Sequence, residues 1–197
     1  MSKGKIILAS GSPRRAKVLR DAGVEFEVRT ADVQEISIDS DPVRTVQYNA
    51  EVKAQAVASL SQNDELIIAA DTVVYAHEGD KGQVLGKPVD MDDAKDMLRR
   101  LSGRDHGVST GVCVIRGRKK IAFVDESLIR FKKLDEALID EYHSLVNPLD
   151  KAGAYNIDEH GDMLVEKLGG SHESVMGLPI GVLAFWLDSE FDIKITV

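Results

Sequence analysis

Short apolar runs and amphipathic stretches alternate along the whole chain. The run Lys5-Ile6-Ile7-Leu8-Ala9 predicts a buried strand over 5–9. Pro13, which loses nothing in a first helical turn, then opens a helix over 13–22 that Gly23 stops. Phe26 and Val28 alternate with charged residues and predict a second strand. Ser40-Asp41-Pro42 starts a helix running to about 61, with Val46, Ala50, Ala54 and Val57 on one face. Leu66-Ile67-Ile68-Ala69-Ala70 is apolar without interruption, as in a strand covered on both sides. Val73 to Ala76 and Val84-Leu85 flank a turn at 78–82 and predict a hairpin. Asp90 caps a helix through Ala94, Met97, Leu98 and Leu101, closed by Gly103. Strands follow near 106–116 and 119–130, joined at Arg116-Gly117-Arg118. Asp135 caps a helix to about Val146; a loop at 147–153, a strand near 163–168 and a helix at about 178–188 complete the pattern.

Interleaved helices and strands with no repeat or linker predict an α/β fold, a mixed twisted sheet flanked by helices, in one domain over 1–197. Ligands in such folds sit beyond strand ends, where segments 10–13, 71–72, 86–88 and 150–153 are expected to gather. With 43% hydrophobic residues the chain can bury a sizeable core. Its net charge of −8 disfavours nucleic acid or an anionic membrane as partner, but not a small anion in a local basic pocket. The single cysteine, Cys113, lies in an apolar run and reads as a buried small hydrophobe. One cysteine, no signal-peptide pattern and no apolar run of membrane-spanning length fit a cytoplasmic protein.

The densest chemistry lies in Leu8-Ala9-Ser10-Gly11-Ser12-Pro13-Arg14-Arg15. A strand feeding a helix start offers free N–H groups and a positive dipole end to an anion. Two arginines in that first turn oppose the dipole, which a bound phosphate chain would compensate; a solvated surface pair is the other reading. If nothing but a ligand explains them, both should be removable without loss of stability. Asp71 interrupts an apolar run, and a carboxylate ending a buried strand needs a metal, a cation or several hydrogen bonds. Lys53 falls on the apolar side of its helix, where it either snorkels outward or points into a site. Lys87, in Gly82-Gln83-Val84-Leu85-Gly86-Lys87-Pro88, is not a phosphate-loop lysine: the glycine spacing is one short and Pro88 stands where Ser or Thr would hold magnesium. By itself Glu35 is an ordinary solvated acid, and the five histidines show no zinc spacing.

Ser10-Gly11-Ser12-Pro13-Arg14-Arg15, Ile68-Ala69-Ala70-Asp71-Thr72-Val73-Val74, Leu85-Gly86-Lys87-Pro88, Leu101-Ser102-Gly103 with His106, Thr110-Gly111-Val112, Asp150-Lys151-Ala152-Gly153-Ala154-Tyr155 and Gly177-Leu178-Pro179 follow one another in a family order. Together they resemble the Maf family of nucleoside triphosphate pyrophosphatases. The resemblance implies an inosine-triphosphatase-like architecture with an active-site cleft. It also implies hydrolysis between the α- and β-phosphates, clearance of unwanted or modified nucleotides, and an association with septum formation and division arrest. It assigns Ser10, Ser12, Arg14, Arg15, Thr72 and Lys87 to substrate binding and Asp71, Lys53 and Glu35 to catalysis. Asp71 and Glu35 would hold Mg²⁺ or Mn²⁺, which favour oxygen ligands and share coordination with phosphates. His106 lies in a family motif but is expected to be structural. A homodimer is also implied.

Two positions depart from the family pattern. Asp158 stands where glutamine is common, and Ser174 where asparagine is frequent. An acceptor-only group at 158 would suit a guanine edge or a cationic methylated purine rather than a pyrimidine. It is expected to shift preference away from strict dTTP/UTP specificity, with dTTP/UTP-like and 7-methyl-GTP-like substrates both left open. A nucleotide-binding regulator of division without turnover would need the basic clamp but not the acidic pair, so Asp71 and Glu35 favour the enzyme. A phosphatase removing only the γ-phosphate would release orthophosphate first.

Overall fold

In the computed structural model, which describes residues 4–78 and 81–195, the expected mixed α/β sheet is present. Strand β1 (Ile6–Leu8) leads into helix α1 (Pro13–Asp21), then β2 (Glu27–Val28), α2 (Pro42–Ala58), β3 (Leu66–Glu78) and β4 (Lys81–Leu85). Next come α3 (Met91–Leu101), β5 (Asp105–Arg116), β6 (Lys119–Phe131) and α4 (Glu136–Leu145). A 3-10 turn (Ala152–Ala154), α5 (Gly161–Leu164), β7 (Val165–Gly169), α6 (His172–Val175) and α7 (Ile180–Phe191) finish the chain. The seven strands run β2-β1-β3-β5-β6-β7, with β4 beside β3. β1 pairs in parallel with β2 and β3; the other pairings are antiparallel.

Strand alternation sorts the core into two layers. Leu8, Ile68, Ala70, Val112 and Val114 pack against α1 and α7 through Val18, Leu19, Leu183 and Leu187. Ile7, Ile67, Ala69 and Cys113 pack on the other face against Ala50, Ala54 and Val57 of α2. A third cluster, with Ile129 and Phe131, packs against α3 and α4.

Asp71 does not end a strand. β3 is one element of 13 residues that runs through it, because β5 keeps pairing, from Ile67↔Ile115 through Asp71↔Gly111 to Ala76↔His106. On the other edge the β1 ladder stops at Ile68, and the β4 ladder begins only at Val74. Residues 69–73 therefore have one edge with no ladder partner among the described residues.

α2 ends at Ala58 rather than about 61, and α7 begins at Ile180 rather than 178. The expected strand at 163–168 is α5 followed by β7. The one-turn helices at 152–154, 161–164 and 172–175 escape a periodicity argument because each is shorter than the repeat needed to reveal it. The hairpin is formed, and its turn residues Gly79 and Asp80 lie outside the described residues. No helix among the described residues is long and apolar enough to cross a membrane.

Candidate active site

A cavity of about 750 Å³ opens at the free edge of β3, between the start of α1, the side of α2 and the segment after β4. Ser10, Ser12, Arg14, Arg15, Glu35, Lys53, Asp71, Thr72 and Lys87 all line it, so distant segments of the chain meet there. Four cations (Arg14, Arg15, Lys53, Lys87) face three carboxylates (Glu35, Asp71, Asp150), and the cavity is locally positive in a chain of net charge −8.

Gly111 sets the depth of α2. It is the ladder partner of Asp71, and a Cβ there would meet the Val46 carbonyl oxygen at 2.5 Å. The bare glycine lets the helix lie close over the strand, which brings Lys53 and Asn49 onto Asp71. Lys53 Nζ donates to Asp71 Oδ1 and to Glu35 Oε2, each at 2.8 Å. Asn49 Nδ2 donates to Asp71 Oδ2 at 2.9 Å. Both oxygens of Asp71, only 8% exposed, are thus engaged, which is how this site stabilises a buried carboxylate. Glu35 is more open and keeps Oε1 without a hydrogen bond among the described residues.

Arg14 and Arg15 have different roles. Arg15 donates from Nε to the Gly177 carbonyl at 2.9 Å, from Nη1 to Ser10 Oγ at 2.9 Å and from Nη2 to Thr72 Oγ1 at 3.0 Å. It joins α1, β3 and the loop before α7. Burial lowers its pKa from the ordinary arginine value, and the Asp71 charge works the other way. Thr110 Oγ1 donates to the Ser174 carbonyl at 2.8 Å, so the Thr72 hydroxyl, 3.0 Å away, donates to Thr110. The expectation that both arginines are removable without loss of stability is corrected for Arg15, whose loss would take a donor from three acceptors, Ser10 Oγ alone keeping another in the Ser12 N–H. One N–H on each terminal nitrogen of Arg15 stays free.

Arg14 lines the cavity with no hydrogen bond or ion pair among the described residues, and the same is true of the exposed Lys87. Ser10 Oγ accepts from the Ser12 N–H at 3.2 Å, and the Ser12 side chain does not cap α1. No acidic residue lies in the first turn of α1, so its positive end faces the cavity uncompensated.

Asp150, in a motif but with no role assigned from sequence, also lines the cavity. Partial burial works to raise its pKa, but the hydrogen bond and charge of Lys151, at 2.8 Å, hold it below the ordinary carboxylate value. Asn49 and Thr45 were the other residues missed. Their signal was a polar stripe, Thr45, Asn49 and Lys53, one helical turn apart beside the apolar face of α2.

Asp158 does not line this cavity. It borders a second one of about 600 Å³, with its carboxylate 3.7 Å from Lys17 Nζ, and Met176 lies between the two spaces. His106 is fully buried, 3.0 Å from the Tyr155 hydroxyl and edge-on to Phe131; burial depresses it to about 4, so it is neutral. Burial raises the Cys113 thiol to about 12, which removes it as a nucleophile.

Asp71 and Glu35 offer only oxygen donors, the kind a hard divalent cation takes together with water and phosphate oxygens, and Lys53 Nζ stands between them at 2.8 Å from each. Among the described residues no cluster of three His, Cys, Asp or Glu could hold an ion without such help.

The profile of the Maf-like protein family matches residues 5–190, and the chain belongs to that family. It is 42% identical over 193 residues to the dTTP/UTP pyrophosphatase of Bacillus cereus (strain B4264), covering 98% of each chain. The dTTP/UTP pyrophosphatase of Bacillus anthracis (strain CDC 684 / NRRL 3495) matches with the same identity and coverage. Among solved structures, the Staphylococcus aureus Ham1 protein shares the fold, with a TM-score of 0.53 at 17% identity over 94% of this chain and 99% of that one.

Proposed function

We propose that this Maf-family chain is a metal-dependent nucleoside triphosphate pyrophosphatase that prefers pyrimidine triphosphates. It would clear unwanted nucleotides in the cytoplasm by cutting between the α- and β-phosphates. The reading rests on one observation above all: Glu35 and Asp71 converge on Lys53, at 2.8 Å each, inside a cavity rimmed by Arg14, Lys87 and the start of α1. Relatives at 42% identity that are named dTTP/UTP pyrophosphatase support it.

Arg14, Lys87 and the free N–H groups of Arg15 would take the outer phosphate oxygens. Lys53 has three N–H donors, two of them on carboxylates; the third is available to the phosphate at the reacting centre. Mg²⁺ or Mn²⁺ held by Asp71 and Glu35 would neutralise phosphate charge and make a bound water more acidic. The free Oε1 of Glu35 would accept the water proton. The water oxygen bonds to the α-phosphorus, and the bridging oxygen leaves with pyrophosphate. Arg15 and Lys53, held by hydrogen bonds before substrate arrives, would stabilise the developing charge without reorganising.

The pyrimidine preference rests on those relatives alone; Asp158, the acidic residue that would read a methylated purine, borders the neighbouring cavity beside Lys17. The test is product analysis with dTTP, UTP, GTP and 7-methyl-GTP, with Mg²⁺, with Mn²⁺ and with EDTA. Pyrophosphate as first product from dTTP and UTP, abolished by EDTA, is expected. Orthophosphate first, or binding without turnover, would overturn the assignment, and 7-methyl-GTP as best substrate would overturn the preference.

A further inference from the structure

The segment that carries Glu35, between β2 and α2, contains no helix or strand. Its backbone has no ladder to hold it, so side chains must. α2 supplies them at one per turn. Thr45 Oγ1 accepts the Ile38 N–H at 2.9 Å and donates to the Asp41 carbonyl at 3.0 Å. Asn49 Oδ1 accepts the Ile36 N–H at 2.9 Å, while its Nδ2 donates to the Ile36 carbonyl at 2.9 Å. Lys53 then takes the Glu35 carboxylate at 2.8 Å. As the helix advances from 45 to 49 to 53, the loop is held at 38, 36 and 35, running the other way.

Asn49 differs from its two neighbours in the stripe. It holds the loop backbone on both sides of one residue and also reaches Asp71 Oδ2 at 2.9 Å. It is 3% exposed, and three of its four hydrogen-bonding positions are filled by groups that fix the amide's orientation. No isosteric residue does the same. Aspartate keeps an acceptor for Ile36 but has no donor and would set a like charge against Asp71. Leucine fills the space but leaves the Ile36 N–H, the Ile36 carbonyl and Asp71 Oδ2 short of partners.

We propose that Asn49 is a positioning residue that fixes the separation of Glu35 and Asp71 by tying the Glu35 loop and the Asp71 carboxylate to one amide. The catalytic part of this proposal rests on the pyrophosphatase reading above; the latch itself does not. Asn49 acts through the two carboxylates, so its loss should lower turnover more than substrate binding.

The experiment combines steady-state pyrophosphate release with amide hydrogen exchange for Asn49→Leu, made in the wild-type chain and in Glu35→Gln. The expected kcat falls by about 10- to 100-fold, the scale for a reacting group misplaced by an ångström, with KM changed less than about threefold. In the Glu35→Gln background the same substitution should cost less than about threefold, because the partner it positions has already lost its function. Exchange at Ile36 should quicken while β5 stays protected. Asn49→Asp, which retains the acceptor, should keep Ile36 more protected than Asn49→Leu does and still lose turnover. Equal losses in both backgrounds, or unchanged exchange at Ile36, overturn the proposal. If Asn49→Leu does not fold, Thr45→Val decides between the outcomes: faster exchange at Ile38 with a turnover loss that vanishes in Glu35→Gln supports the latch, and no change in either overturns it. A wild-type chain that releases no pyrophosphate from any triphosphate sinks the pyrophosphatase reading alone, since exchange at Ile36 still judges the latch.

Discussion

The Arg15 guanidinium donates to Thr72 Oγ1 at 3.0 Å, joining positions 57 residues apart, while its neighbour Arg14 faces the cavity with no hydrogen bond or ion pair among the described residues. Two adjacent, chemically identical residues thus divide into a strut and a side chain left open to the cavity. Arg14→Ala should raise the KM for triphosphate about tenfold or more and leave thermal stability unchanged, because a charge opposing the α1 dipole is removed. Arg15→Ala should lose roughly 1–3 kcal/mol, since it strands buried acceptors. Thermal melts beside steady-state kinetics check both, and equal stability losses would erase the distinction.

Asp71→Asn should fold normally and lose roughly two orders of magnitude or more in turnover, the scale of a major electrostatic or acid–base group. An amide at 71 removes the charge that Lys53 and Asn49 are arranged to receive. Near-normal pyrophosphate release by a folded variant would remove Asp71 from the chemistry.

Gly111→Ala tests how closely α2 must lie. The added Cβ would sit 2.5 Å from the Val46 carbonyl oxygen, backbone that cannot swing aside. Displacing α2 should cost roughly 1–3 kcal/mol in denaturant unfolding, as overpacking does, and should lower turnover by moving Lys53 and Asn49 off Asp71. A stable, fully active variant would show that the close approach does not matter.

His106 gives a pH dependence with a definite sign. Burial depresses its pKa from 6.5 to about 4, so between those values the unfolded chain binds the proton more readily than the folded one. Its contribution is fully present above about pH 6.5, falls as pH drops toward 4, and amounts to on the order of 3 kcal/mol. Unfolding free energies of wild type and His106→Gln at pH 7.5, 5.5 and 4.5 should converge as the pH falls; parallel curves would show that His106 is not buried neutral.

On the pyrimidine-preferring reading proposed above, Asp158→Gln should leave the ratio of dTTP to GTP turnover within about threefold, as for a group outside the base site. Its present neighbour is Lys17, in the adjoining cavity. Competition assays between the two triphosphates measure this directly, and a larger shift would place Asp158 against the base after all.

Much of this molecule is written in local pattern. Apolar runs at 5–9 and 66–70, the Asp41, Asp90 and Asp135 caps and the alternation through 106–130 specify strands and helices from neighbouring residues alone. Several residues that line the cavity were also legible, because a serine-glycine turn before Pro13 and a carboxylate in an apolar run are conspicuous without a fold. Tertiary structure decided the rest. That β3 continues through Asp71 depends on β5 outlasting β1 as its partner, a fact about strands far apart in the chain. That Arg15 is a strut depends on Gly177, and that Asn49 matters depends on Ile36 and Asp71 arriving at its two sides. Asp158 turns to Lys17 for the same reason. Local sequence sets backbone propensity and the chemistry each side chain offers. Hydrogen bonds between remote segments exist only once the sheet has set their distances, so which offers are taken up is settled by the fold.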